Sequence, residues 1–103
     1  MKYSLSNDTW GQEELTAISK VIESNRFSMG AFVTQAEQDF AAKVGSNYAV
    51  MCSSGSAANL LAIAAMVYSG RLQKGDEILA PAISWSTTYF PLEQLGLKTR
   101  LVD

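Results

Sequence analysis

The run Ser53-Ser54-Gly55-Ser56-Ala57 gathers hydroxyls and one glycine at a single hinge in the chain. Ahead of it, Tyr48 to Cys52 is a short apolar run with the length of a buried strand. Behind it, Ala57 to Tyr68 is apolar at nearly every position and rich in Ala and Leu, which predicts a buried helix over 57–69. A strand that turns into a helix through Gly55 aims the N–H groups of Ser56 and Ala57 outward. Those orphan donors and the positive end of the helix dipole suit an anion, a phosphate above all. Ser54 or Ser56 acting only as an N-cap accounts for the same residues, and the tripeptide alone leaves both readings open. No Gly-Lys-Ser/Thr follows and no G-x-G-x-x-G is present, so this is neither a Walker loop nor a dinucleotide fingerprint.

Trp85 is the second residue with chemical content. It stands in a hydroxyl-rich stretch, Ser84-Trp85-Ser86-Thr87-Thr88, shortly after Pro81. An indole there offers a flat face to a planar ring, or else plugs a helix–sheet junction. Position alone does not separate the two.

The composition removes other chemistries. The chain has no histidine, so Ser-His-Asp and Cys-His catalysis and His-containing zinc sites cannot be assembled from it. A single cysteine, Cys52, gives neither an internal disulfide nor a Cys-rich metal site; a buried structural thiol in a cytoplasmic setting is expected. A net charge of −2 without a basic cluster argues against nucleic acid or an acidic membrane surface. No apolar run approaches the ~20 residues needed to cross a bilayer, and Met1-Lys2 leads into polar residues rather than a secretory leader. No residue is assigned a catalytic or metal-binding role. Any reaction needs a cofactor or residues outside these 103.

The elements that must position the two motifs follow from periodicity. Thr9 and Gln12 have capping-box spacing, and Leu15, Ile18 and Ile22 recur at helical intervals, predicting a helix from about Trp10 to Ser24. Asn25-Arg26-Phe27-Ser28-Met29-Gly30 breaks it, with a turn expected at Gly30. A second helix carries Val33, Ala36, Phe40 and Val44 on one face and stops at Gly45. Gly75-Asp76 turns into a strand at 77–81. A further short helix runs from the 84–88 stretch to about Leu95, and Lys98 to Asp103 begins a further strand. Strand, helix, strand, helix, strand is the grammar of a parallel α/β sheet. In such sheets ligands bind beyond the carboxyl ends of the strands, where both polar hinges lie. At 103 residues the chain is one domain at most, and three strands bury little, so an incomplete, N-terminal piece is expected.

Taken together, Met29-Gly30, Ser54-Gly55-Ser56, Gly75-Asp76-Glu77-Ile78, Pro81 and Val102-Asp103 resemble the DegT/DnrJ/EryC1/StrS family over essentially the whole chain. That resemblance implies the N-terminal segment, residues 1–103, of the large domain of an aspartate-aminotransferase-like, fold type I pyridoxal-phosphate enzyme. Ser54 to Leu61, with Asn59 where aminotransferases commonly have leucine, is similar to one branch, the 3-dehydratases acting on GDP-4-keto-6-deoxy-mannose. So are the run from Ser84 to Pro91 and the run from Asn25 to Gly30.

The resemblance implies that Gly55, Ser56 and Ala57 surround the phosphate of pyridoxal or pyridoxamine 5'-phosphate, and that Trp85 stacks on its ring. It implies that Asn25, Arg26, Phe27 and Ser28 form a nucleotide-sugar loop; an anchoring role in the core is the alternative for Phe27. Implied partners are a nucleotide-linked 4-keto-6-deoxy sugar, an amino donor such as glutamate, and a second copy in a homodimer. The implied pathway is deoxysugar synthesis for lipopolysaccharide. The family's acidic partner of the pyridine nitrogen and its active-site lysine, or the histidine replacing it, lie downstream of these motifs; Lys2, Lys20, Lys43, Lys74 and Lys98 do not match. A nucleotide-sugar aminotransferase, a non-catalytic phosphate-binding module and an inert truncated product remain as alternatives.

Overall fold

A computed structural model describes residues 7–103; the polar start at Met1-Lys2 lies outside them. Within it are four helices and two strands: α1 (Gln12–Ser24), α2 (Ala31–Val44), α3 (Gly55–Tyr68), β1 (Glu77–Pro81), α4 (Ser86–Gln94) and β2 (Lys98–Val102). The chain divides into two compact units, Met1–Met51 and Cys52–Asp103.

In the first unit, α1 starts two residues later than its periodicity suggests. Its cap is not the Thr9/Gln12 pair: the Gly11 N–H donates to Glu14 Oε2 at 2.7 Å. Both pairs share the three-residue spacing, but only Glu14 puts a carboxylate at the positive end of the dipole. The bond from the Gly11 N–H, and then that from its own N–H, hold the Glu14 carboxyl below its ordinary value of 4.5. The cap therefore supports α1 at neutral pH and is lost as pH falls from that ordinary value through the lower folded one. The protection of the α1 amides, taken relative to their intrinsic exchange rate at each pH, is expected to fall in that window; Glu14→Gln should be less protected already at neutral pH and lose the dependence.

The connection between α1 and α2 also turns differently. Gly30 is extended, at φ −99°, and serves as the N-cap of α2. The left-handed residues are Asn25 (φ 52°), the C-cap of α1, and Met29 (φ 46°). Asn adopts that region readily; Met does so at a cost. α2 ends as expected at Gly45, φ 73°, and Ala41 is its buried residue.

The expected strand at 48–52 does not form. An apolar run becomes a strand only when a neighbour supplies a ladder, and β1–β2 is the only ladder among the described residues. Here the Met51 N–H instead donates to the Glu37 carboxylate of α2 at 2.7 Å. Cys52 is half-buried rather than buried.

In the second unit, β1 and β2 pair in parallel from Glu77 opposite Lys98 to Pro81 opposite Val102. The turns before them are pinned together, the Gly75 N–H donating to the Gly96 carbonyl at 2.8 Å. Both glycines have positive φ, 97° and 75°, which glycine adopts without strain. Ala80, Leu92 and Leu97 form the core, with Ile63, Val67, Leu72, Ile78 and Tyr89 half-buried around it. α3 is the expected helix but not the expected buried one: none of its residues is fully buried, and Leu60, Leu61 and Tyr68 are exposed. Its one face on α4 and the sheet covers Ile63 and Val67, while its other apolar sides find no cover within the unit.

Candidate functional site

The two polar hinges come together in the second unit. Ser54, extended at φ −166°, is the N-cap of α3, and its Oγ accepts from the Ala57 N–H at 3.2 Å. The capping role thus falls to Ser54, and it engages Ala57, one of the donors the sequence offers to an anion. The Gly55 and Ser56 N–H groups have no acceptor among the described residues and lie on an exposed turn. The first turn of α3 carries no acidic side chain to repel an anion. A Cβ placed on Gly55 would meet nothing within 4 Å, so the space before this turn is open. Two free N–H donors, the Ser56 hydroxyl and a helix dipole make a donor set that fits a phosphate.

Trp85 is the N-cap of α4 and 83% exposed. It does not plug the helix–sheet junction. Its backbone is held by the Thr88 N–H, which donates to the Trp85 carbonyl at 2.9 Å. A hydroxyl pair, Ser84 Oγ and Thr88 Oγ1 at 2.7 Å, closes the same loop. From below, the Tyr89 hydroxyl donates to the Pro81 carbonyl at 2.7 Å and fixes α4 to the end of β1.

The two helix starts are linked directly. Asn59, in the second turn of α3, donates through Nδ2 to the Thr87 carbonyl in the first turn of α4 at 3.2 Å. A shallow cavity of about 230 Å³ lies between these turns, lined by Ser56, Ala57, Leu60, Thr87, Phe90 and Pro91 among others. The structure therefore brings Ser56 and Ala57 beside Thr87, in the turn that Trp85 opens; Gly55 and Trp85 do not line this cavity. Asn59, whose amide makes the link, is absent from the sequence-derived site, because the carbonyl it serves lies 28 residues away.

Asn25, Arg26, Phe27 and Ser28 lie in the first unit. Arg26, Phe27 and Ser28 line a cavity of about 290 Å³ with Val21, Phe32 and Met51. Phe27 is 69% exposed and anchors no core. Arg26 makes no ion pair among the described residues. Asn25 is occupied as the left-handed C-cap of α1, its N–H donating to the Ile22 carbonyl at 3.1 Å.

Comparison with known proteins gives this geometry a family. The chain is 52% identical to the GDP-4-keto-6-deoxy-D-mannose 3-dehydratase of Yersinia pseudotuberculosis, covering all of this chain and 27% of that protein. It is 53% identical to the enzyme of the same name from Escherichia coli O55:H7, with the same coverage. The chain thus spans about a quarter of the length of these relatives.

Among solved structures, the E. coli dehydratase with bound hydrated PLP superposes with a TM-score of 0.90 at 54% identity, over 99% of this chain and 27% of that one. An aminotransferase from Psychrobacter cryohalolentis gives 0.78 at 25% identity, over 92% and 24%. The fold is accordingly that of the N-terminal part of the fold type I, aspartate-aminotransferase-like enzymes. The model of the DegT/DnrJ/EryC1/StrS aminotransferase family matches residues 8–103, and the chain belongs to that family.

Proposed function

We propose that this chain is the cofactor-phosphate and ring-stacking segment of a pyridoxal-phosphate-dependent nucleotide-sugar 3-dehydratase. The observation that carries the reading is the juxtaposition of an open α3 N-terminus with an exposed Trp85, linked by Asn59 to Thr87. Gly55 and Ser56 hold the phosphate through N–H groups and the Ser56 hydroxyl, while Ser54 keeps the turn in shape. Ala57 contributes through the turn it closes, since its N–H is engaged. Trp85 covers one face of the pyridine ring. When bound, the cofactor supplies the electron sink and amine chemistry that removal of a sugar C3 hydroxyl requires. In the first unit, Arg26 has a free guanidinium suited to the diphosphate of a nucleotide sugar, and Phe27 an open ring beside it.

The dehydratase reading is favoured over the aminotransferase one by identity, 52–54% against 25%. One dehydratase structure holds a trapped PLP-glutamate geminal diamine and another, a variant, GDP-perosamine. These support glutamate as amino donor and a GDP-linked 4-keto-6-deoxy sugar as substrate here. A homodimer and a place in lipopolysaccharide sugar synthesis in the cytoplasm complete the proposal. No helix among the described residues is long and apolar enough to cross a membrane.

The test is a titration of the full-length protein with pyridoxal phosphate and with pyridoxal. Ser56→Ala is expected to weaken the phosphorylated form roughly 10- to 150-fold, since hydrogen bonds to a charged group are worth ~1.5–3 kcal/mol, and to spare pyridoxal. Equal losses for both ligands contradict a phosphate contact. Supplied with GDP-4-keto-6-deoxy-mannose and glutamate, the protein should release a 3-deoxy sugar; a 4-amino sugar would select the aminotransferase reading.

A further inference from the structure

The link between the two helix starts has a cause inside α4. Pro91 is its sixth residue and is buried. In an α-helix the N–H of residue 91 would bond the carbonyl of Thr87, four positions back, and proline has no N–H. The Thr87 carbonyl is therefore orphaned by the sequence of its own helix. Asn59 Nδ2 takes the vacant position, donating to that carbonyl from α3 at 3.2 Å. The proline opens an acceptor and the asparagine fills it, so one intrahelical bond is exchanged for one between helices.

The exchange bears on the proposed site because of where it falls. Thr87 is two residues from Trp85, and the Thr88 N–H holds the Trp85 carbonyl. Asn59 is four residues from Gly55, in the helix whose first turn carries the open N–H groups. We infer that Asn59 is a positioning residue for the cofactor: paired with Pro91, it sets the spacing between the phosphate-holding turn of α3 and the Trp85-bearing turn of α4. It touches no reacting atom. A ligand that contacts both turns, phosphate at one and ring at the other, depends on that spacing, and a bare anion that contacts only the α3 turn does not. The inference rests on the reading of Gly55, Ser56 and Trp85 as a cofactor site.

The test uses the full-length protein, pyridoxal phosphate and inorganic phosphate as its competitor, with four proteins: unmodified, Asn59→Leu, Pro91→Ala and the double variant. Leucine keeps the branch of asparagine at Cγ, has no amide donor, favours the helix and replaces an exposed residue, so thermal unfolding should stay close to that of the unmodified protein. Asn59→Leu is expected to weaken pyridoxal phosphate roughly three- to tenfold, the range of one modest hydrogen bond. The inhibition constant of inorganic phosphate should stay within about twofold, below the effect of even a weak hydrogen bond. In the Pro91→Ala background the alanine N–H takes the Thr87 carbonyl, and the Asn59→Leu loss should shrink to less than about twofold. An equal loss in both backgrounds, a parallel loss of inorganic phosphate, or no loss at all would overturn the inference. Failure of the unmodified protein to bind pyridoxal phosphate would instead overturn the proposed function, and this inference with it.

Discussion

Leu92→Ala is expected to open the second unit. Leu92 is 2% exposed and shares a core of three buried residues with Ala80 and Leu97. Truncating a buried leucine costs about 2–5 kcal/mol, through lost burial and the cavity left behind. At the usual stability per residue, a unit of this size has about 3–8 kcal/mol in all. With so few core residues, no second layer is available to collapse into the void. Hydrogen exchange of the β1 and α4 amides in this 103-residue chain should accelerate by roughly 30- to 3,000-fold, a tenfold step for each 1.4 kcal/mol. The comparison is Leu101→Ala on β2, a leucine 57% exposed, whose effect should be small. If the two variants exchange alike, the core assignment fails.

What the sequence revealed of this unit, and what it hid, follows from the range of the forces involved. The Ser54-Gly55-Ser56 hinge was legible because a cap is local: Ser54 reaches the Ala57 N–H three residues on, whatever lies elsewhere. The two strands and α4 were legible because glycine turns bound them and the strands found each other. The run at 48–52 has strand composition, yet a strand is a pairwise property, and among the described residues the one ladder is β1–β2. α3 is apolar on every side, which states a demand for cover and says nothing of whether cover is present; Leu60 and Leu61 remain exposed. The α1 cap misled for a different reason. Thr9/Gln12 and Gly11/Glu14 have one spacing, and the choice between them turns on where the helix begins. At the site, the hydroxyls and Trp85 announced themselves by type. Asn59 did not, because its role depends on a carbonyl 28 residues away that a proline leaves without a donor.

Trp85→Ala is expected to release the cofactor without disturbing the fold, and that separation makes it informative. Trp85 is exposed and its side chain makes no capping hydrogen bond, so alanine at the N-cap of α4 removes no support from the helix. The Thr88 to Trp85 bond is a backbone contact and survives the substitution. Loss of affinity therefore reports the lost contact with the ligand alone. Stacking of an aromatic side chain on a planar heteroaromatic ring is worth ~1–3 kcal/mol by alanine substitution. The dissociation constant for pyridoxal phosphate should rise by roughly 5- to 150-fold. Trp85→Phe keeps a flat face of smaller area and should hold most of the affinity. Inorganic phosphate, which meets only the α3 turn, should compete equally well against all three proteins. Unchanged cofactor affinity in the alanine variant would remove Trp85 from the site, and an equal loss in the phenylalanine variant would mean that indole makes some contact other than stacking.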